Sequence, residues 1–189
     1  MSSTGTKVIF LGESGVGKTS VISMAVNNKF QREHIATVGA SFSPKLMVID
    51  GNSVNLQLWD TAGQEKYHSI APLFFHSSKV AVIVFALDDI DSFDCVSQWY
   101  QMIRDHEKSD IKFYLVGNKN DCVDTRAIPF SECAKKATEL KMKYFEVSAM
   151  NGVGIEDLFD SIARDTITLS NSTTQIVEKP ESEKKKSGC

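Results

Sequence analysis

The sequence predicts a three-layer α/β fold: a six-stranded, mostly parallel sheet with one antiparallel edge strand and helices on both faces. Three observations predict it. Short apolar runs alternate with longer amphipathic ones along most of the 189 residues. Residues 80–87 are continuously apolar and rich in β-branched side chains, as expected of a strand covered on both faces. Two further runs are joined by Asp50-Gly51, a hairpin signal because both turn positions accept positive φ, so one strand must run antiparallel.

Each element then follows in order. Residues 7–11 read as a strand, followed by a Gly-rich turn and a helix over 18–27. Residues 40–49 and 53–60 are the two hairpin strands, and 80–87 the central buried one. A helix over 92–107 is expected next, with Asp91 as its N-cap. Residues 113–116 form a buried strand, 131–140 a helix, 144–147 a strand and 155–169 the last helix. Residues 1–169 therefore read as one domain. Residues 170–189 hold few large apolar side chains and end Lys184-Lys185-Lys186-Ser187-Gly188-Cys189, which reads as a flexible tail.

Composition narrows the function. A hydrophobic fraction of 42% supports a continuous core, and a formal net charge of −3 argues against a nucleic-acid surface. The first seven residues lack the apolar stretch of a signal peptide. The longest apolar run, 80–87, is far shorter than the roughly 20 residues a membrane helix needs. The cysteines Cys95, Cys122, Cys133 and Cys189 have neither metal-site nor redox spacing.

Gly12-Glu13-Ser14-Gly15-Val16-Gly17-Lys18-Thr19 matches the phosphate-loop pattern G-x-x-x-x-G-K-[ST] at every fixed position, between a predicted strand and helix. Its backbone can wrap a phosphate with inward N–H groups, aided by the helix N-terminus. Ser14, Gly15, Val16, Gly17, Lys18, Thr19 and Ser20 are the expected phosphate-side contacts. Lys18 would reach the β- and γ-phosphates, and Thr19 would offer its hydroxyl to Mg²⁺.

Asn118-Lys119-Asn120-Asp121 follows a strand and has the N-K-x-D pattern of GTP-binding proteins. One carboxylate can accept from both guanine N1–H and the N2 amino group, whereas adenine N1 would set lone pair against lone pair at Asp121. The stem of Lys119 can lie along the base. Ser148-Ala149-Met150 stands after the next strand as a second base loop, with the Ala149 N–H expected to meet guanine O6. Asp60-Thr61-Ala62-Gly63-Gln64-Glu65 closes the second hairpin strand. Asp60 would hold Mg²⁺ through water, the Gly63 N–H would approach the γ-phosphate, and Gln64 would orient the attacking water. In the polar loop over 30–39, Thr37 could bind Mg²⁺ and γ-phosphate, and Phe30 could cover the base edge-on. Contacts that exist only with GTP would make this loop a switch. With no arginine evidently placed in cis, intrinsic turnover is expected on the order of 10⁻⁴ s⁻¹, with an activating protein adding about 10³–10⁵.

Together these motifs resemble the Ras superfamily of small GTPases over about residues 5–168, and so the P-loop NTPase architecture. Trp59 before Asp-Thr-Ala-Gly-Gln-Glu, with Thr37-Val38-Gly39-Ala40-Ser41-Phe42 and Tyr67-His68-Ser69-Ile70-Ala71-Pro72, is similar to the Rab family, most of all its early-endosomal branch. The resemblance implies a monomeric trafficking switch on the cytoplasmic face of endosomal or other vesicle membranes in a eukaryotic cell. It implies an exchange factor, a GTPase-activating protein, effectors and a GDI-like chaperone as partners. It further implies that Phe42, Trp59 and Phe74 form an exposed aromatic triad read by effectors. Several positions depart from the pattern: Met150 replaces the usual lysine, Lys66 an arginine, Phe74-Phe75-His76 a more polar stretch, and Ser14 the glycine of Ras proteins. Rab-like chains usually end in two cysteines and Ras-like ones in C-a-a-X, whereas Cys189 stands alone. By the resemblance Cys189 is the prenylation site, with Lys184–186 as the second membrane signal. Two alternatives remain open: a nucleotide-holding scaffold that does not hydrolyse, and a soluble switch without lipid.

Overall fold

The computed structural model describes residues 5–31, 37, 39–63, 71–107 and 110–175. Gln64 and Cys189, and with them Lys66, residues 67–70 and the lysines at 184–186, lie outside the described residues. The strands are β1 Thr6–Leu11, β2 Ala40–Ile49, β3 Asn52–Thr61, β4 Val80–Ala86, β5 Lys112–Asn118 and β6 Lys143–Glu146. The helices are α1 Lys18–Asn27, α2 Ile90–Asp94, α3 Val96–His106, α4 Phe130–Glu139 and α5 Ile155–Gln175. The six strands lie in the order β2-β3-β1-β4-β5-β6, all parallel except β2.

Residue parity explains the layers. In β1, Val8 and Phe10 join one core while Ile9 and Leu11 join the other. In β4, Val80, Val82 and Val84 face the first core, and Ala81, Ile83 and Phe85 the second. The first core is completed by Val21 and Ile22 of α1 and Leu158, Phe159 and Ile162 of α5. The second is completed by Trp99 and Ile103 of α3 and Cys133 and Ala137 of α4. A strand buried on both faces has no polar alternation, which is why residues 80–87 are apolar throughout.

The hairpin forms as expected. Asp50 and Gly51 have φ of 50° and 80°, and Ile49 pairs with Asn52 across them. β2 pairs on one side only, so Pro44 costs the ladder nothing on the open side. Two of the expected helices differ by more than one residue, while α4 is shifted by one. The helix expected over 92–107 is two, α2 and α3, meeting at Cys95. There the Cys95 carbonyl accepts from both Gln98 N at 3.0 Å and Trp99 N at 3.1 Å, a tight 3-10-like hitch. The N-cap is Asp89 rather than Asp91: Asp89 Oδ1 accepts from Ser92 N, and Asp91 sits in the first turn. α5 runs on to Gln175, past the expected end at 169, so residues 170–175 continue the helix. Among the described residues no helix is long and apolar enough to cross a membrane.

Candidate functional site

The site lies where the sheet order reverses. β1 is flanked by β3 and β4, and the loops leaving the carboxyl ends of β1, β3 and β5 open onto one crevice. A cavity of about 430 Å³ there is lined by Gly15, Lys18, Thr19, Phe30, Thr37, Gly63, Asn118, Lys119, Asp121, Ala149 and Met150, among others. Residues far apart in sequence, from the Gly-rich loop to the loop after β6, thus share one space.

On the phosphate side, α1 begins at Lys18 directly after Gly17, so its first N–H groups face the cavity. Lys18 is 6% exposed, and its Nζ donates to the carbonyls of Gly12 and Glu13, both at 2.8 Å. Burial lowers its pKa to about 8, partly opposed by the negative charges of Asp60 and Glu13. A buried ammonium held mainly by neutral carbonyls gains most from an incoming anion. A Cβ on Gly63 would stand 2.5 Å from Lys18 Nζ and 2.5 Å from the carbonyl carbon of Glu13. The strand end therefore closes over the phosphate loop at a distance only glycine allows.

Three oxygens gather beside Lys18. Thr19 Oγ1 donates to Asp60 Oδ2 at 2.6 Å and lies 3.0 Å from Thr37 Oγ1, which itself is 3.4 Å from Asp60 Oδ2. Two hydroxyls and one carboxylate are hard donors, suited to Mg²⁺ completed by water and phosphate oxygen. Among the described residues no cluster of three or more His, Cys, Asp or Glu side chains that could hold a metal ion forms. The donor set fits the ion expected there.

On the base side, Asn118 is 2% exposed and joins both halves. Its Nδ2 donates to Val16 O at 2.8 Å, and its Oδ1 accepts from Ala149 N at 3.1 Å. Gly17 admits this approach, since a Cβ there would meet Asn118 Nδ2 at 2.3 Å. The Ala149 N–H expected to face guanine is thus donated to Asn118, and a base carbonyl would share or replace that acceptor. Asp121 Oδ1 accepts a short hydrogen bond from the Ser148 hydroxyl, which fixes the carboxylate plane. Ser148 is itself fully buried and accepts from Asn151 N at 3.2 Å. Lys119 has φ of 65°, and its Nζ pairs with Asp88 at 3.1 Å, so the stem is stretched along the cavity wall. Met150 is half-exposed at the rim, and Ser14 is exposed on the loop above.

The chain matches the sequence model of the Ras family over residues 7–168, which spans all six strands and nearly all the described structure. It belongs to the Ras family. Membership of the Ras family brings guanine-nucleotide binding with Mg²⁺, GTP hydrolysis and a switch between two nucleotide states, with exchange factors, activating proteins and effectors as partners. The fold and the shared cavity agree with that membership.

The aromatic series expected from the resemblance is brought together beside this site. Phe42 and Trp59 have ring centroids 5.8 Å apart, and Trp59 and Phe74 6.4 Å apart. Only Phe42 is exposed, at 50%; Trp59 and Phe74 are half-buried, Trp59 packing against the second core with Lys7 Nζ 4.6 Å from its ring centroid. Sequence reasoning missed Gln31 and Cys122 in the cavity wall and Asp88 behind Lys119. Cys122 and Gln31 adjoin residues that were expected, so adjacency alone could have found them. Asp88 carried no local signal.

Proposed function

We propose that this chain is a trafficking switch of the Rab kind, which cycles between GDP and GTP forms and recruits effectors at endosomal or other vesicle membranes. The observation that carries the switch is the Thr37 contact. Thr37 meets the phosphate loop at the Thr19 hydroxyl and β3 at the Asp60 carboxylate, at 3.0 and 3.4 Å, in the group that suits a cation. Losing the γ-phosphate removes the reason for that loop to stay.

In this reading Lys18 and the loop N–H groups of residues 14–20 bind the phosphates, and Asp121, Lys119 and Asn118 hold guanine with Ala149 and Met150. Phe30 covers the base. Thr19, Thr37 and, through water, Asp60 would hold Mg²⁺, which would supply positive charge to offset that of the phosphates. The Gly63 N–H meets the γ-phosphate, and Gln64 orients the attacking water. Hydrolysis is slow until an activating protein supplies an arginine. Trp59 stands on β3 next to Asp60, which meets Thr37, and Phe42 and Phe74 lie against Trp59, so loss of the loop contact alters the surface effectors read. Cys189 carries a prenyl group, Lys184–186 add attraction to an anionic leaflet, and a GDI-like chaperone shields the lipid in cytosol.

The test is the intact mass of the C-terminal peptide of the full chain, taken separately from membrane and soluble fractions of eukaryotic cells. An isoprenoid on Cys189 in the membrane fraction is expected. Unmodified Cys189 in both fractions would reject the anchored reading and leave a soluble switch or scaffold.

A further inference from the structure

Glu13 is an unusual neighbour for a polyphosphate. It lies in the phosphate loop itself, and a free carboxylate there repels the ligand the loop is built to hold. The fold turns that carboxylate away. Trp99 Nε1, on α3, donates to Glu13 Oε1 at 2.9 Å across 86 residues of sequence. The Trp99 ring is 2% exposed within the second core, packed where it cannot follow a moving loop. The Cys95 thiol, where α2 and α3 meet, lies against the same carboxylate, whose charge raises the thiol's pKa after burial. An indole N–H bond to a carboxylate is charge-assisted and strong.

The backbone of the same residue does different work. The Glu13 carbonyl accepts from Lys18 Nζ at 2.8 Å, and its carbonyl carbon would lie 2.5 Å from a Cβ on Gly63. Glu13 therefore joins a rigid core helix through its side chain to the phosphate-binding lysine and the end of β3 through its main chain. We infer that Trp99 is a positioning residue for nucleotide retention: through Glu13 it fixes the first turn of the phosphate loop and keeps the Glu13 charge off the phosphates. The inference rests on the nucleotide reading of this site.

Three variants of the full chain test it: Trp99→Phe, which keeps an aromatic six-membered ring but removes the pyrrole N–H donor; Glu13→Ala; and the double variant. The readout is the release rate of a fluorescent GDP analogue with Mg²⁺ present, beside the melting temperature of the ligand-free protein. Trp99→Phe is expected to speed release about 10-fold, the worth of one charge-assisted bond. The decisive outcome is the cycle. If Trp99 acts through Glu13, Trp99→Phe adds little to release once Glu13→Ala is present. An undiminished effect in that background would show that Trp99 acts by packing alone and overturn the inference, as would unchanged release in Trp99→Phe. Failure of the unmodified chain to retain GDP at all would instead reject the nucleotide reading beneath it, before any variant is compared.

Discussion

The two halves of the cavity are built by different means. The phosphate half is main chain and one lysine: glycines, helix N–H groups and an ammonium whose partners are neutral carbonyls. The base half is side chains already bonded to one another, with Asp121 on Ser148, Asn118 on Ala149 and Lys119 on Asp88. The first half carries a buried positive charge that Asp60 and Glu13 offset only in part, and it gains much from any phosphate. The second begins satisfied, so a base must match its geometry to replace what is there. Affinity should therefore reside on one side and selectivity on the other.

The largest test of that division is Lys18→Met, which removes the ammonium and keeps the stem. Two charge-assisted contacts are lost, so GDP and ATP binding should both weaken by about 10²–10⁴-fold, measured by calorimetry. A loss confined to guanine nucleotides would break the comparison. Asp121→Asn addresses the other half. It turns one acceptor into a donor, so GDP should bind about 100-fold more weakly. XDP, which presents a carbonyl where guanine has an amino group, should then bind better than GDP. An unchanged order of GDP over XDP in competition binding would remove Asp121 from base reading.

The smallest effect is the pH dependence of the phosphate half. Ligand-free Lys18 titrates at about 8, lowered chiefly by burial. A bound polyphosphate supplies the missing counter-charge and raises that value. Above about pH 8, binding must therefore take up a proton, and affinity should fall by up to about tenfold per pH unit. Ligand-free stability moves the opposite way. Between about 8 and the unfolded value of 10.5 the unfolded chain binds more protons, so stability rises with pH. Calorimetry at pH 9 in two buffers of different ionisation enthalpy reads the proton directly. Equal observed heats in the two buffers would mean that no proton is taken up and would place the partly compensated charge elsewhere.

How much of this was legible in the sequence follows the same division. The phosphate half is one continuous segment whose glycines, lysine and threonine are fixed by local geometry, so Gly12 to Thr19 could be read directly. The hairpin at Asp50-Gly51 and the doubly buried β4 were legible for the same reason, because turn chemistry and burial act through neighbours in sequence. The base half was legible only in part. The chemistry of Asp121 announces itself, but the bonds that aim it come from Ser148 and, for Lys119, from Asp88, on other loops. The bond between Trp99 and Glu13 had no signature, since an aromatic at helical spacing reads as core and also is core. The break at Cys95 and the cap at Asp89 rather than Asp91 turn on which carbonyl and which N–H align, a matter of one turn that propensity does not resolve.

Asn118 has a consequence for the order in which the chain assembles. Its amide bonds span 102 residues back to Val16 and 31 residues forward to Ala149. Contacts of such separation form late, after shorter loops have closed. On a ribosome β5 emerges after Val16 but before Ala149, so the buried amide at its end has its acceptor within the chain already made and waits for its donor. The nucleotide cavity is thus among the last parts of the molecule that can settle, and its completion reports that both ends of the domain have arrived.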